Sequence, residues 1–146
     1  MDKKQILRKR AALKSLLDIP EVKSWRALMT AFKVILSELE KNLTHEGCSV
    51  SRFQILFFLY FEGNLPAAEI ARKLLVTRGN ISMFLRRMEA DLLIKKVIPP
   101  EQKRPLYTLT KNGTDFFEKL FPSHIKRVKQ LAPRLDEKTI KLLLNV

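Results

Sequence analysis

The sequence predicts a mostly α-helical protein that carries one small β-hairpin. Three observations lead there. Apolar residues recur at spacings of three and four over most of the chain, the period of an amphipathic helix. Four glycines and seven prolines in 146 residues leave little material for the many tight turns of an all-β chain. The period switches once, between Ile94 and Leu109, to two short β-prone runs.

Residues 3–17 set Ile6, Leu7, Leu13, Leu16 and Leu17 among Lys3, Lys4, Arg8, Lys9, Arg10 and Lys14, a basic pattern with a partial helical stripe. Asp18-Ile19-Pro20 interrupts it, because the residue before a proline is pushed out of the α region. Trp25, Leu28, Phe32, Ile35, Leu36, Leu39 and Leu43 then form the stripe of a long helix. It should end near Thr44-His45-Glu46-Gly47, where glycine accepts a left-handed C-cap. The run Phe53, Ile55–Tyr60 is apolar nearly all round and predicts a helix buried on most faces.

Gly63-Asn64 breaks that helix. Pro66 is placed at the first turn of the next, where its missing N–H costs nothing and Glu69 faces the positive end of the dipole; Ile70, Ala71, Leu74 and Leu75 give it an apolar face. Thr77 suits the N-cap of a helix over 78–90, with Ile81, Phe84, Leu85 and Met88 inward and Arg78, Asn80, Ser82, Met83, Arg86 and Arg87 outward. The β-prone runs 94–98 and 105–109 flank Pro99–Arg104, which reads as a hairpin with a charged tip. Thr110 caps a helix through Phe116, Phe117, Leu120 and Phe121. Pro122 and Pro133 punctuate the chain beyond it, and Asp136 caps a last helix with Ile140, Leu142, Leu143 and Leu144.

The formal charge of +13 points toward polyanions, nucleic acid or an anionic membrane face. The single cysteine allows no internal disulfide, and no uncharged apolar stretch reaches the roughly 20 residues of a membrane span. The first residues lack the blocks of a signal peptide, so a cytoplasmic protein is expected. Cys48 has no strong thiolate-stabilising neighbour in sequence and is expected to be inert. His45 and His124 are too few and too far apart for a metal site. With no phosphate loop, nucleophile elbow or Cys/His cluster, neither enzyme activity nor a cofactor is expected.

A long helix, a buried helix, a short helix, a capped basic helix and a basic hairpin, in that order, make a winged helix-turn-helix. In such a fold a helix resting on two others presents its outer face to the major groove, where base pairs are distinguishable, and the hairpin reaches the backbone or minor groove. Charge agrees: residues 70–104 hold nine Lys/Arg against three acids.

With these residues in view, the chain resembles the MarR family of bacterial transcription regulators from about Trp25 onward, most strongly over Ser51–Gly113. Pro66–Thr77 is similar to the family's first helix and turn, Ile81–Glu89 to its recognition helix, and Leu109-Thr110-Lys111-Asn112-Gly113 to its "LT-x-x-G". Two departures stand out. Leu92 occupies the family's glycine before the "LI", which leaves the tight left-handed turn without its usual residue. Glu101-Gln102-Lys103 replaces the wing's Asp-Arg-Arg, with Arg104 next in line to supply a guanidinium.

The resemblance implies a DNA-binding transcription regulator, most often a ligand-released repressor, bound as a homodimer to a pseudo-palindromic site on double-stranded DNA. Base contacts fall to Arg78, Asn80, Ser82 and Met83, phosphate contacts to Arg72, Lys73, Arg86 and Arg87, and wing contacts to Lys103 and Arg104. It implies N-terminal dimerisation helices over 1–48, a DNA-binding lobe over 49–112 and C-terminal dimerisation helices over 113–146. Any small-molecule effector would sit between the dimerisation helices and the lobe. The other reading is a winged-helix interaction module without sequence-specific binding, using its charge on RNA, anionic membrane or protein. For the basic segment 3–14, a solvated helix, dimer packing and extra DNA contact all stay open, with a membrane-surface role weaker for want of aromatics.

Overall fold

The computed structural model describes residues 3–145. In chain order they form α1 (Lys3–Ser15), a 3-10 turn (Leu16–Asp18), α2 (Pro20–His45), α3 (Val50–Glu62), β1 (Leu65–Pro66), α4 (Ala67–Leu74), α5 (Arg78–Ala90), β2 (Ile94–Val97), β3 (Leu106–Leu109), α6 (Lys111–Leu131) and α7 (Glu137–Leu144). The chain divides inside α2, between Glu38 and Leu39, into two compact units.

In the first unit α1 ends as expected before Pro20. Ile19 takes φ −58° and ψ 128°, and α2 opens on Pro20 in the first-turn position that tolerates it. Lys23 reaches Asp18 across this break at 3.2 Å. The apolar stripe of α2 is open here: Trp25, Leu28 and Phe32 are exposed.

The second unit holds the core. Leu43 from the end of α2, Phe53, Ile55, Leu56 and Leu59 of α3, Ile70 and Ala71 of α4, Ile81, Leu85 and Met88 of α5, Ile94 and Tyr107 of the sheet, and Phe117 and Leu120 of α6 are all buried. Each large apolar side chain so covered contributes about 1.5–3 kcal/mol. The sheet runs β1-β3-β2, antiparallel throughout, with Lys96 opposite Tyr107 and Leu65 also opposite Tyr107 from the other side.

Four helices start on side-chain caps, Ser49, Thr77, Thr110 and Asp136 each accepting an amide N–H three residues on. Three expectations need correction. Pro66 sits at the N-cap of α4 with φ −73° and ψ 153° rather than in its first turn, because it pairs with Leu106 in the sheet. Pro122 does not interrupt α6, which runs through it to Leu131; Phe117 and Phe121 stack at 5.2 Å on its N-terminal side and hold the helix despite the missing hydrogen bond. Along α3 the buried face is narrower than its apolar run suggests, with Tyr60 and Phe61 exposed and the Tyr60 hydroxyl donating to Glu118 Oε1 at 2.8 Å.

Helices α2, α4 and α5 end on one motif. Cys48 N–H bonds Leu43 O, Val76 N–H bonds Ala71 O and Leu93 N–H bonds Met88 O, while the N–H groups of Gly47, Leu75 and Leu92 bond the carbonyls of Thr44, Arg72 and Glu89. These last three donors have positive φ: Gly47 at 76°, Leu75 at 55° and Leu92 at 57°. The left-handed turn thus survives at Leu92 without its glycine. Leu43, Ala71, Met88, Cys48 and Leu93 are buried, and Val76 packs against the same core, so both ends of each motif are anchored. The anchors impose a conformation that costs an L-residue about 1–2 kcal/mol.

Leu92 is 63% exposed and loses little packing when truncated. Leu92→Gly is expected to stabilise the protein by about 0.5–1 kcal/mol, the relieved strain less glycine's extra unfolded-state entropy. A urea titration would register it as a higher midpoint at unchanged slope.

His124 packs against Phe53 in a tilted arrangement with ring centroids 4.1 Å apart, and its Nδ1 is buried without a hydrogen-bond partner. Burial lowers its pKa below the ordinary 6.5. Above that pH the imidazole is neutral in both states. As pH falls through 6.5 the unfolded chain takes up a proton that the folded chain resists, so stability declines. His124→Phe is expected to flatten the loss of stability between about pH 7 and 5, read from urea midpoints at several pH values.

Candidate nucleic-acid interface

Helices α4 and α5 pack on α3 through Ile70, Ala71, Ile81, Leu85 and Met88. That contact decides which face of α5 points outward. Arg78, Asn80, Ser82, Met83, Arg86 and Arg87 are all exposed, so the structure brings the six residues expected on the outer face together there. The Thr77 hydroxyl accepts the Asn80 N–H at 3.3 Å and leaves the first turn presented to solvent. Ser82 Oγ donates to Arg78 O at 2.9 Å, which leaves its lone pairs for accepting.

Strand β2 packs beside α5, and β2 and β3 extend to a tip over Pro99–Arg104 where Gln102 N–H bonds Pro99 O at 3.0 Å. Lys103 and Arg104 are exposed there. The base of the wing is fastened at Thr110, whose hydroxyl accepts the Gly113 N–H at 3.0 Å and donates to Leu92 O at 2.6 Å, while its amide donates to Leu93 O at 3.0 Å. A side chain at Gly113 would lie 1.9 Å from Leu93 O. The "LT-x-x-G" string is therefore a joint that locks the wing onto the first turn of α6.

Ion pairs sort the basic residues. Arg72 is held by Glu69, the i,i+3 neighbour. Lys73 reaches Glu62 at 2.6 Å and Glu69 at 3.8 Å and lies over the Phe58 ring, so its charge is largely answered within the fold. Lys96 pairs with Glu89 at 3.3 Å. Among the described residues Arg78, Arg86, Arg87, Lys95, Lys103 and Arg104 have no carboxylate partner, and all lie on α5 or the wing.

Sequence reasoning missed Arg52. It pairs with Asp91 and, with Ser49, Ser51, Phe84, Arg87 and Met88, lines a cleft of about 380 Å³ beside α5. No local pattern marks it, since Asp91 lies 39 residues away. Cys48 is buried, and burial pushes its thiol up to about 11, against a smaller opposing pull from Arg52. Its burial disfavours the thiolate. No group of three or more metal-ligating side chains occurs among the described residues.

The model of the MarR family matches residues 46–105, the stretch from just after α2 to the start of β3. Over this stretch the chain resembles the MarR family. Its members are transcription regulators rather than enzymes. The chain is similar to the HTH-type transcriptional regulator MhqR of Bacillus subtilis, 25% identical over 122 residues that cover 83% of this chain and 84% of the relative. Its fold matches Sco3205 of Streptomyces coelicolor, a MarR family regulator solved in complex with DNA, at a TM-score of 0.75, with 23% identity and coverage of 86% and 83%. It also matches NadR, solved in complex with 4-hydroxyphenylacetate, at a TM-score of 0.69, with 20% identity and coverage of 82% and 85%. No helix of the described residues is long and apolar enough to cross a membrane.

Proposed function

We propose that this protein is a DNA-binding transcription regulator of MarR type, a cytoplasmic homodimeric repressor that binds a pseudo-palindromic duplex site and is released by a small molecule. One observation carries the DNA reading. The six described cations of residues 70–104 without a carboxylate partner are confined to the outer face of α5 and to the wing. Within this stretch the α4 cations Arg72 and Lys73 are answered by carboxylates, whereas the outer face of α5 keeps its charge for an external anion. The DNA in Sco3205 and the 4-hydroxyphenylacetate in NadR support binding of DNA and of an effector respectively.

Within this reading Arg78, Asn80, Ser82 and Met83 contact base edges: arginine to guanine, asparagine to adenine, methionine to a thymine methyl. Arg86 and Arg87 contact phosphates, and Lys103 and Arg104 extend the wing to the neighbouring groove. Arg72 joins them only by exchanging Glu69 for a phosphate. Lys73 serves chiefly to tie α4 to Glu62 of α3. The exposed stripe Trp25, Leu28, Phe32 and the exposed Ile140, Leu142, Leu143 and Leu144 supply the apolar surface that a second copy would cover. Residues 1–48 and 113–146 are accordingly the dimerisation segments, and 49–112 the DNA-binding lobe.

Selection of bound duplexes from a random pool tests this, followed by titration of the selected sequence and of random duplex at several salt concentrations. A pseudo-palindromic motif whose preference persists as salt rises is expected. Loss of all complexes together, with no motif, would leave only a charge-driven interaction module.

A further inference from the structure

Within the dimerisation segment 1–48 the apolar stripe lies on α2, and the cations of α1 have no part in it. Helix α1 contains no acidic residue, and none stands in its first turn to meet the positive end of the dipole. Its described side chains are all exposed. Arg8, Arg10 and Lys14 have no carboxylate partner among the described residues. No carboxylate calls for a cation at these three positions, and like charges along a helix weaken it.

Their arrangement is specific. At about 100° per residue, Lys4 and Arg8 form one ridge and Arg10 and Lys14 a second, separated by roughly a third of a turn. Leu7 and Ala11 lie between the ridges. Two cationic ridges either side of a low seam suit the two phosphate rows that border a groove of duplex DNA. The same arrangement suits a membrane surface poorly. Ile6 and Leu13 are bracketed by Lys9 and Arg10, so no apolar face about 100° wide is free of charge, and α1 has no aromatic residue to anchor at an interface.

We infer that α1 is a second DNA-binding element, which grips the phosphate backbone without reading sequence and adds to the affinity of the α5 and wing surface. This rests on the DNA-binding reading and extends it to a region outside the matched residues 46–105.

The test uses the full chain with the triple substitution Arg8→Gln, Arg10→Gln, Lys14→Gln, and a charge-keeping control, Arg8→Lys, Arg10→Lys, Lys14→Arg. Both are titrated against the selected duplex and against random duplex over a range of salt. Removal of one phosphate interaction lowers the slope of log affinity against log salt by about 0.9, so the triple variant should drop by about two to three units per protomer on both duplexes. Its preference for the selected sequence should stay unchanged, and the control should keep the wild-type slope. An unchanged slope in the triple variant overturns the inference. So does loss of binding to phosphatidylglycerol vesicles with the DNA slope intact, which would assign α1 to lipid. If wild-type protein selects no sequence at all, the regulator reading fails by itself, and the slopes on random duplex still decide the role of α1.

Discussion

Gly113→Ala is expected to destabilise the protein by about 2–4 kcal/mol, the sum of a broken cap and a strained core. The added Cβ would lie 1.9 Å from Leu93 O and 2.9 Å from its carbonyl carbon, backbone atoms with no freedom to swing aside. Leu93 O accepts the Thr110 N–H, and Leu93 itself is buried. Relief therefore requires α6 to back away from the wing. That movement breaks the Thr110 cap, worth about 1 kcal/mol, and loosens the packing of Phe117 and Leu120, where overpacking typically costs about 1–3 kcal/mol. In urea the midpoint should fall sharply at constant slope. A shift below about 0.5 kcal/mol, the range of an ordinary surface substitution, would mean that the joint is far more compliant than its hydrogen bonds suggest. Because the wing is fastened at the same joint, DNA affinity should fall along with stability.

On DNA, the largest effects are expected to separate along α5. Asn80→Ala and Arg78→Ala should each cost about 1–3 kcal/mol on the selected sequence and much less on random duplex, since the proposed role of each side chain is to read a base edge. Arg86→Ala should weaken both duplexes alike and lower the salt slope by about one unit, the mark of a phosphate contact. Titration of the three variants against both duplexes at two or more salt concentrations decides between the roles. If Asn80→Ala behaved as Arg86→Ala does, the first turn of α5 would lie along the backbone instead of in the groove. All three residues are exposed on a helix whose other face carries the core, so the substitutions should leave folding intact.

Much of this surface was legible in the chain. The Thr77 and Thr110 caps, the stripe Ile81, Leu85, Met88 and the polar face opposite it depend on residues three and four apart. Local geometry alone therefore places them. The same holds for the hairpin, whose strands β2 and β3 fall within the two β-prone runs, and for the break before Pro20. What escaped was set by residues far apart in sequence. Strand β1 exists because Leu65 and Pro66 meet Tyr107 and Leu106. Lys73 reads as one more basic residue until Glu62, on the preceding helix, is found 2.6 Å away. Arg52 carries no visible role until α3 and α5 come together beside Asp91.

Leu92 draws the line most sharply. Judged by intrinsic preference, a leucine in place of glycine argues against a left-handed turn, and Leu75 argues the same at the end of α4. Both nevertheless take positive φ. Met88 and Leu93 are drawn into one core from either side of the turn, as Ala71 and Val76 are at the other, and their burial outweighs the local cost. By itself the sequence determined the helices, their caps, the sorting of apolar from polar faces and the basic character of α5 and the wing, because those follow from interactions within about one helical turn. Only the tertiary structure decided which cations remain without a partner, where the third strand pairs and which residues bear the strain of the turns, because those depend on which distant groups the core brings into contact.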